Sequence, residues 1–174
     1  MFLNPEDTIK HLSLHEDSHV ADLGAGSGVY TLAAAKCAPA GRVYAVDINR
    51  ELLPRIKKDV EAHGYENVEV VWGDIDRIGG TNIRDASMDA VIMANTFFQF
   101  ENKGAAVQEV KRILKSGGKF LFIDWSGSYG NLGPKEEHIV LPITAKDMFG
   151  KAGFAFKENV PAGDYHYGMI FTKK

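Results

Sequence analysis

The run Val20-Ala21-Asp22-Leu23-Gly24-Ala25-Gly26-Ser27-Gly28 constrains this chain more than any other stretch. It reads as a short buried strand that ends in an acid and then turns on glycines. Residues 29–35 open a helical pattern directly after it. Glycine lets a backbone bend sharply and pass close to a ligand, because it has no side chain in the way. A strand, glycine turn and helix at the start of an α/β unit is where a nucleotide-like ligand sits.

The details of the turn narrow the ligand. A dinucleotide fingerprint sets glycines at the first, third and sixth positions. Here Gly24 and Gly26 hold the first and third, the sixth is Val29, and the last glycine arrives one residue early at Gly28. Asp22, two residues before the first glycine, directs a negative charge into the cleft. That charge is ill matched to a pyrophosphate and well matched to an ammonium or sulfonium. S-adenosylmethionine (SAM) is therefore favoured over NAD.

A chain of 174 residues fits one domain with a substantial core. Its net charge of −3, with no basic block, makes nucleic acid an unlikely partner. The single cysteine, Cys37, excludes an internal disulfide and a multi-cysteine zinc site, and it reads as buried filler in a helix. His11, His15, His19 and His63 have no ligand-like spacing to acids, so no metal is assigned. Met1-Phe2-Leu3 leads straight into Asn4-Pro5-Glu6-Asp7 without the features of a signal peptide, and no apolar run has the length of a membrane span. A soluble cytoplasmic protein is the expectation; the sequence leaves the oligomeric state open.

Turn signals and periodicity predict helices from Pro5 after an Asn4 cap, then over 29–38, 51–63, 105–114 and 144–152, the last capped by Thr144. Strands are predicted over 20–23, 43–47, 68–72, 89–94 and 119–125, followed by a terminal hairpin over 154–160 and 165–172. Alternating strands and helices imply a doubly wound α/β fold, with a mainly parallel seven-stranded sheet, an antiparallel C-terminal hairpin and helices on both faces. Right-handed crossovers bring the C-terminal ends of the parallel strands to one edge, where open α/β sheets bind ligands. Asp22, Asp47, Asp74, Asn95 and Asp124 all fall at those ends. Each alone could be a cap or turn former; the whole series on one edge is harder to assign that way.

With these features in order, the chain resembles the class I SAM-dependent methyltransferases over nearly its full length. The carriers are VADLGAGSG at 20–28, VYAVDIN at 43–49, VVWGDID at 70–76, DAVIMANTFFQF at 89–100 and LKSGGKFLFIDW at 114–125. Within the class it is similar to the small, Rossmann-like methyltransferases of the ubiquinone/menaquinone-biosynthesis group. The resemblance implies one domain over 1–174, with an N-terminal helix over 1–15 covering the cofactor cleft and a loop over 126–142 near the acceptor. It implies that Gly24, Gly26 and Gly28 pass close to the methionine and ribose part of SAM, and that Asp22 holds its cationic end. Asp47 lies at the spacing where an acid meets ribose hydroxyls. Asp74 would accept from the adenine amino group with Ile75 flanking the ring. Asn95 would reach the methionine amino group, with Thr96 and Phe97 beside it. Ala25, Ile48 and Gly73 complete the cofactor set, and Phe2 and Leu3 are expected to close over it.

The fourth strand ends in Asn95-Thr96-Phe97-Phe98 instead of the N-P-P-[FYW] tetrapeptide of some relatives, which argues against adenine-N6 and glutamine-N5 methylation. A histidine common in quinone-type relatives is also missing here, which weakens a quinone precursor as acceptor. The reaction implied is in-line methyl transfer from SAM to an acceptor, leaving S-adenosylhomocysteine, and a base is required only where the acceptor must lose a proton. Asp124 and His166 are the weak catalytic candidates, with His138 behind them. Phe98, Trp125 and Tyr129 form a candidate apolar wall, and Phe97 and Phe100 add apolar character near the mouth. A small-molecule acceptor is favoured; a protein lysine or RNA in an open cleft is the alternative. Two readings of other classes remain: an NAD-dependent oxidoreductase and a non-catalytic SAM-binding subunit.

Overall fold

The computed structural model describes residues 4–130 and 132–174. Phe2 and Leu3, expected over the cofactor, lie outside the described residues. The element order is α1 (Pro5–Ile9), β1 (His19–Leu23), α2 (Val29–Cys37), β2 (Arg42–Asp47), α3 (Leu53–Ala62), β3 (Val68–Trp72), β4 (Met88–Ala94), α4 (Lys103–Ile113), β5 (Leu114–Trp125), α5 (Pro142–Lys151), β6 (Phe154–Val160) and β7 (His166–Lys173). Short 3₁₀ turns follow α1 and β4 and precede α5.

The strands form one seven-stranded sheet in the order β3-β2-β1-β4-β5-β7-β6. Pairings from β3 across to β5 are parallel, whereas β7 runs antiparallel between β5 and β6. The strand order reverses between β1 and β4, which opens a crevice at their C-terminal ends. The expected architecture is therefore present.

Alternate residues of the buried strands face opposite layers. Ala21, Val91, Phe120 and Phe122 pack against Val107, Val110 and Ile113 of α4 and Phe149 of α5. Val20, Val43, Ile92 and Leu121 pack on the other face against Ile9 and the Ala33-Ala34-Ala35 run of α2. Ile56 and Val60 of α3 extend that second layer over Ala45. Asn4 caps α1 as expected, its side chain accepting from the Glu6 N–H at 3.1 Å. The helix packs on α2, and a Lys36–Glu6 pair at 2.9 Å ties the two together.

Three local expectations are corrected. The last helix starts at Pro142 with Leu141 as its N-cap, so Thr144 lies inside it and caps nothing. Proline suits the first helical turn because its fixed φ is helical and its missing N–H has no partner to lose there. Cys37 is exposed, because the buried stripe of α2 runs through Thr31, Ala33, Ala34 and Ala35 and leaves position 37 on the outer face. Phe97 does not stand at a mouth: it is fully buried and meets Phe122 edge-on at 5.2 Å.

Candidate cofactor site

A cavity of about 750 Å³ opens at the C-terminal edge of β1 to β4. Ten of the expected residues line it: Asp22, Gly24, Ala25, Gly26, Asp47, Ile48, Asp74, Ile75, Asn95 and Thr96. Gly28 and Gly73 do not. A Cβ on Gly28 would press on Ile56 Cγ2 at 3.3 Å, and one on Gly73 would sit 2.7 Å from Val46 Cγ1. Both glycines act as packing positions behind the cavity wall.

The turn after β1 is built by backbone geometry. Gly24 has φ +76° and a Cβ there would fall 2.5 Å from Thr96 Oγ1, so no other residue fits without displacing the β4 loop. Gly26 has φ +54° but meets nothing closer than the Gly24 carbonyl at 3.8 Å. Its open side is cavity, so packing alone does not require a glycine there. The N–H groups of Gly24 and Ala25 both donate to the Val46 carbonyl, at 2.8 and 3.0 Å, and lock the turn onto β2.

The acids differ in their surroundings. Asp22 is almost fully buried and accepts a hydrogen bond from Thr31 Oγ1 at 2.6 Å. Burial pushes its carboxyl up to about 6, helped by the nearby Asp47 charge and opposed by the Thr31 hydroxyl. Asp47 accepts from the Gly26 N–H at 2.9 Å through one oxygen and from the Asn49 N–H at 2.8 Å through the other. A carboxylate has about four acceptor directions, so each oxygen keeps one for a ligand hydroxyl. Asp74 accepts from the Asp76 N–H at 3.1 Å, which fixes its orientation on the opposite wall. Asn95 is held at φ +56°, a left-handed position that asparagine tolerates better than most residues, and its N–H donates to the Ile123 carbonyl at 2.9 Å.

Among the described residues, Asp22, Asp47, Asp74, Asp76 and Glu101 all line the cavity, and no Lys, Arg or His does. The lining is therefore suited to a ligand with hydroxyls, an amine and a positive centre, and unsuited to one with phosphates. That donor and acceptor set fits SAM on its own chemistry. The methyltransferase domain family matches residues 14–152 of the chain. The chain belongs to this SAM-dependent methyltransferase family.

The chain is 28% identical to a ubiquinone/menaquinone biosynthesis C-methyltransferase from Hahella chejuensis, over 68% of the chain and 47% of that protein. It is 32% identical to a malonyl-[acyl-carrier protein] O-methyltransferase from Halalkalibacterium halodurans, over 62% of the chain and 39% of that protein. The chain thus spans half or less of the length of these two curated relatives. Among solved structures, a SAM-dependent methyltransferase from Aquifex aeolicus superposes with a TM-score of 0.87 at 27% identity, covering 98% of this chain and 89% of the other. The relatives' acceptors differ in chemistry, while the fold is shared.

The two residues expected as catalytic candidates stand apart from the cavity. Asp124 is fully buried near the end of β5, opposite Tyr167 in the β5–β7 register. One of its oxygens accepts from the Trp125 N–H at 3.0 Å, and the other has no hydrogen-bond partner among the described residues. Burial pushes the carboxyl up to about 7 against the pull of the Trp125 N–H and the Lys103 charge. His166 lies on the other face of the sheet, its ring centroid 4.3 Å from that of Trp125, and burial lowers its pKa, so the ring is neutral at pH 7. His138 is exposed beside Glu137.

Phe100, expected near the mouth, lines the cavity, and several lining residues were not among the sequence-based candidates: Tyr30, Leu52, Asp76 and Glu101. Asp76 was readable as a second acid two residues past Asp74 in the turn after β3. Nothing local marked Tyr30, which reaches the cavity from the first turn of α2. No helix among the described residues is long and apolar enough to cross a membrane.

Proposed function

We propose that this chain binds SAM in the β1–β4 cavity and transfers its methyl group to a small-molecule acceptor. The observation that carries the cofactor placement is Asp47: a buried carboxylate oriented by two backbone N–H groups, with free acceptor directions at the cavity. In this reading Asp47 accepts from both ribose hydroxyls, and its charge repels a 2′-phosphate. Asp22 and the Gly24–Gly26 turn receive the methionine end, with Gly26 open for close approach. Asn95 and Thr96 bound that end from β4. Asp74 accepts from the adenine 6-amino group, and Ile75, buried in the core behind it, flanks the ring.

The methyl passes by in-line displacement at a sulfonium, chemistry that the cofactor supplies when bound. The protein's part is to align acceptor and methyl and to keep water out. We place the acceptor beyond Asn95, where β5 ends and β7 begins. There Trp125 and His166 meet at a tilt with ring centroids 4.3 Å apart, and Tyr129 and Tyr165 meet edge-on at 4.9 Å. A neutral His166 is able to take a proton from an acceptor that must lose one. The aromatic lining favours a small apolar or aromatic acceptor over a nucleic acid.

Calorimetric titration with S-adenosylhomocysteine is the test. Binding by the wild type, at least about 100-fold weakened in Asp47→Ala by loss of two charge-assisted hydrogen bonds, is the expected result. Binding of NADH instead, or no binding at all, would remove the proposal. Transfer of label from methyl-labelled SAM into the small-molecule fraction of an extract, absent with Asp47→Ala, then tests the acceptor class; label in protein would replace it.

A further inference from the structure

Outside the cavity, the described chain contains one carboxylate that is fully buried and fully satisfied, Glu109 on α4. It receives five donors. The Gly79 N–H reaches Oε2 at 2.6 Å, the Thr81 N–H reaches Oε1 at 3.2 Å, and the Thr81 hydroxyl also donates to Oε1. Arg112 adds Nε at 2.8 Å and Nη2 at 2.7 Å, while its Nη1 holds Asp85. Burial alone would push Glu109 up, but the guanidinium, the hydroxyl and the two N–H groups outweigh it and hold the carboxyl at about 2. It is therefore charged at any physiological pH.

A buried ion pair contributes little net stability compared with apolar residues of the same volume, so stability alone does not account for it. Its position does. Glu109 grips the residues on either side of Gly80, and the Gly80 carbonyl accepts from the Asp74 N–H at 2.9 Å. The contact is so close that a Cβ on Gly80 would fall 2.0 Å from the Asp74 carbonyl. Asp74 is thus two hydrogen bonds from Glu109. The same helix braces the facing wall: Lys103 Nζ donates to the Phe100 carbonyl at 2.7 Å, and the Glu101 N–H joins the walls by donating to Asp76 at 3.1 Å.

We infer that Glu109, held by Arg112, is a positioning residue for base recognition: it sets the Asp74 carboxylate at the height where a 6-amino group, and not a 6-oxo group, is accepted. The inference rests on the assignment of Asp74 to the adenine amino group. Glu109 itself never touches the ligand. Its chemical consequence is selectivity for an adenine-bearing cofactor over a hypoxanthine-bearing one.

The experiment compares affinities for S-adenosylhomocysteine and S-inosylhomocysteine, its 6-oxo analogue, in wild type and Glu109→Gln. The wild type is expected to prefer the amino ligand by at least about tenfold, the worth of one hydrogen bond to a charged acceptor. Glu109→Gln places an amide donor against donors, so the preference is expected to collapse to within about threefold, mainly through weaker amino-ligand binding. Should Glu109→Gln fail to fold, Thr81→Val removes one donor isosterically and is expected to lower the same ratio by about threefold. A ratio unchanged in the folded variants, with only the melting temperature lowered, overturns the inference and leaves the cofactor site standing. A wild type that binds both ligands equally overturns the Asp74 assignment and this inference together.

Discussion

The C-terminal edge of the sheet has two halves, and they are built differently. At β1 to β4 the strand ends meet glycine turns, and the polar side chains there are held by neighbouring backbone N–H groups or by a hydroxyl in the first turn of α2. Asp47 is fixed by Gly26 and Asn49, and Asp22 by Thr31. At β5 and β7 the strand ends meet a long segment, and the side chains are placed by rings packed across the sheet. Trp125 sits on His166, and Tyr129 on Tyr165. The first half is fixed by short-range backbone geometry, and a ligand made of hydroxyls and charges fits it. The second is fixed by contacts between residues about 35 to 40 positions apart, and its shape is free to vary while the first half stays constant. That division matches the relatives, which share a fold and differ in acceptor.

Two buried carboxylates whose burial raises their pKa, one in each half, give the largest effect. Asp22 borders the cavity and has Thr31; Asp124 is sealed with one oxygen unpartnered. With a folded pKa of about 7 against about 4 unfolded, Asp124 keeps its proton in the folded chain after the unfolded chain has lost it. The folded state then binds more protons between these values, so stability falls as pH rises from about 4 to 7 and levels off above. Three pH units correspond to about 4 kcal/mol. Asp22 adds the same sign over a narrower window, ending near 6. Denaturant unfolding at pH 5 and pH 8 should therefore show the wild type losing stability at pH 8, and Asp124→Asn losing much less. Equal loss in both would mean that Asp124 is not the buried charge that matters.

The glycines of the turn separate folding from binding. Gly24→Ala meets both a left-handed φ and Thr96, so a loss of about 3 kcal/mol is expected in chemical denaturation. Gly26→Ala meets the φ alone, and about 1 kcal/mol is expected. Binding should reverse the order of interest: Gly26→Ala still folds yet loses S-adenosylhomocysteine, because its methyl group enters the cavity. Full affinity in folded Gly26→Ala would move the ligand away from this turn.

The sequence carried the cofactor half well for the same reason that it is rigid. Acid, glycine and strand-end signals lie within a few residues of each other, and local chemistry dictates their conformation. Gly28 and Gly73 show the limit: sequence marks a glycine but not whether its bare side faces a ligand or Ile56 and Val46. Glu109 shows another. A charge inside the apolar stripe Ala106, Val110, Ile113 was a visible anomaly, yet apart from Arg112 its partners lie about 30 positions back in a loop with no regular pattern. The aromatic half was legible only as composition. Which ring meets which depends on the β5–β7 register, and Phe97, read at the mouth, turned inward to the Phe122 and Phe149 cluster.

The smallest effect tests whether the halves are independent. Tyr167 donates from its hydroxyl to the Val140 carbonyl at 2.6 Å, tying the residues before α5 to β7. Burial pushes that phenol upward, and the Asp124 charge adds to the shift, so it stays protonated and donating through the physiological range. Tyr167→Phe keeps the ring packed on Phe122 and removes the hydroxyl alone. One hydrogen bond of this kind is worth about 1 kcal/mol, a lowering of melting temperature by about 2–4 °C in a domain of this size. If the two halves are separate, S-adenosylhomocysteine affinity stays within about twofold of wild type while methyl transfer slows, because only the segment beside the acceptor has loosened. A parallel fall in cofactor affinity would show that the residues before α5 also brace the β4 wall through Ile123 and Asn95, whose backbone bond extends the β4–β5 pairing that joins the two regions.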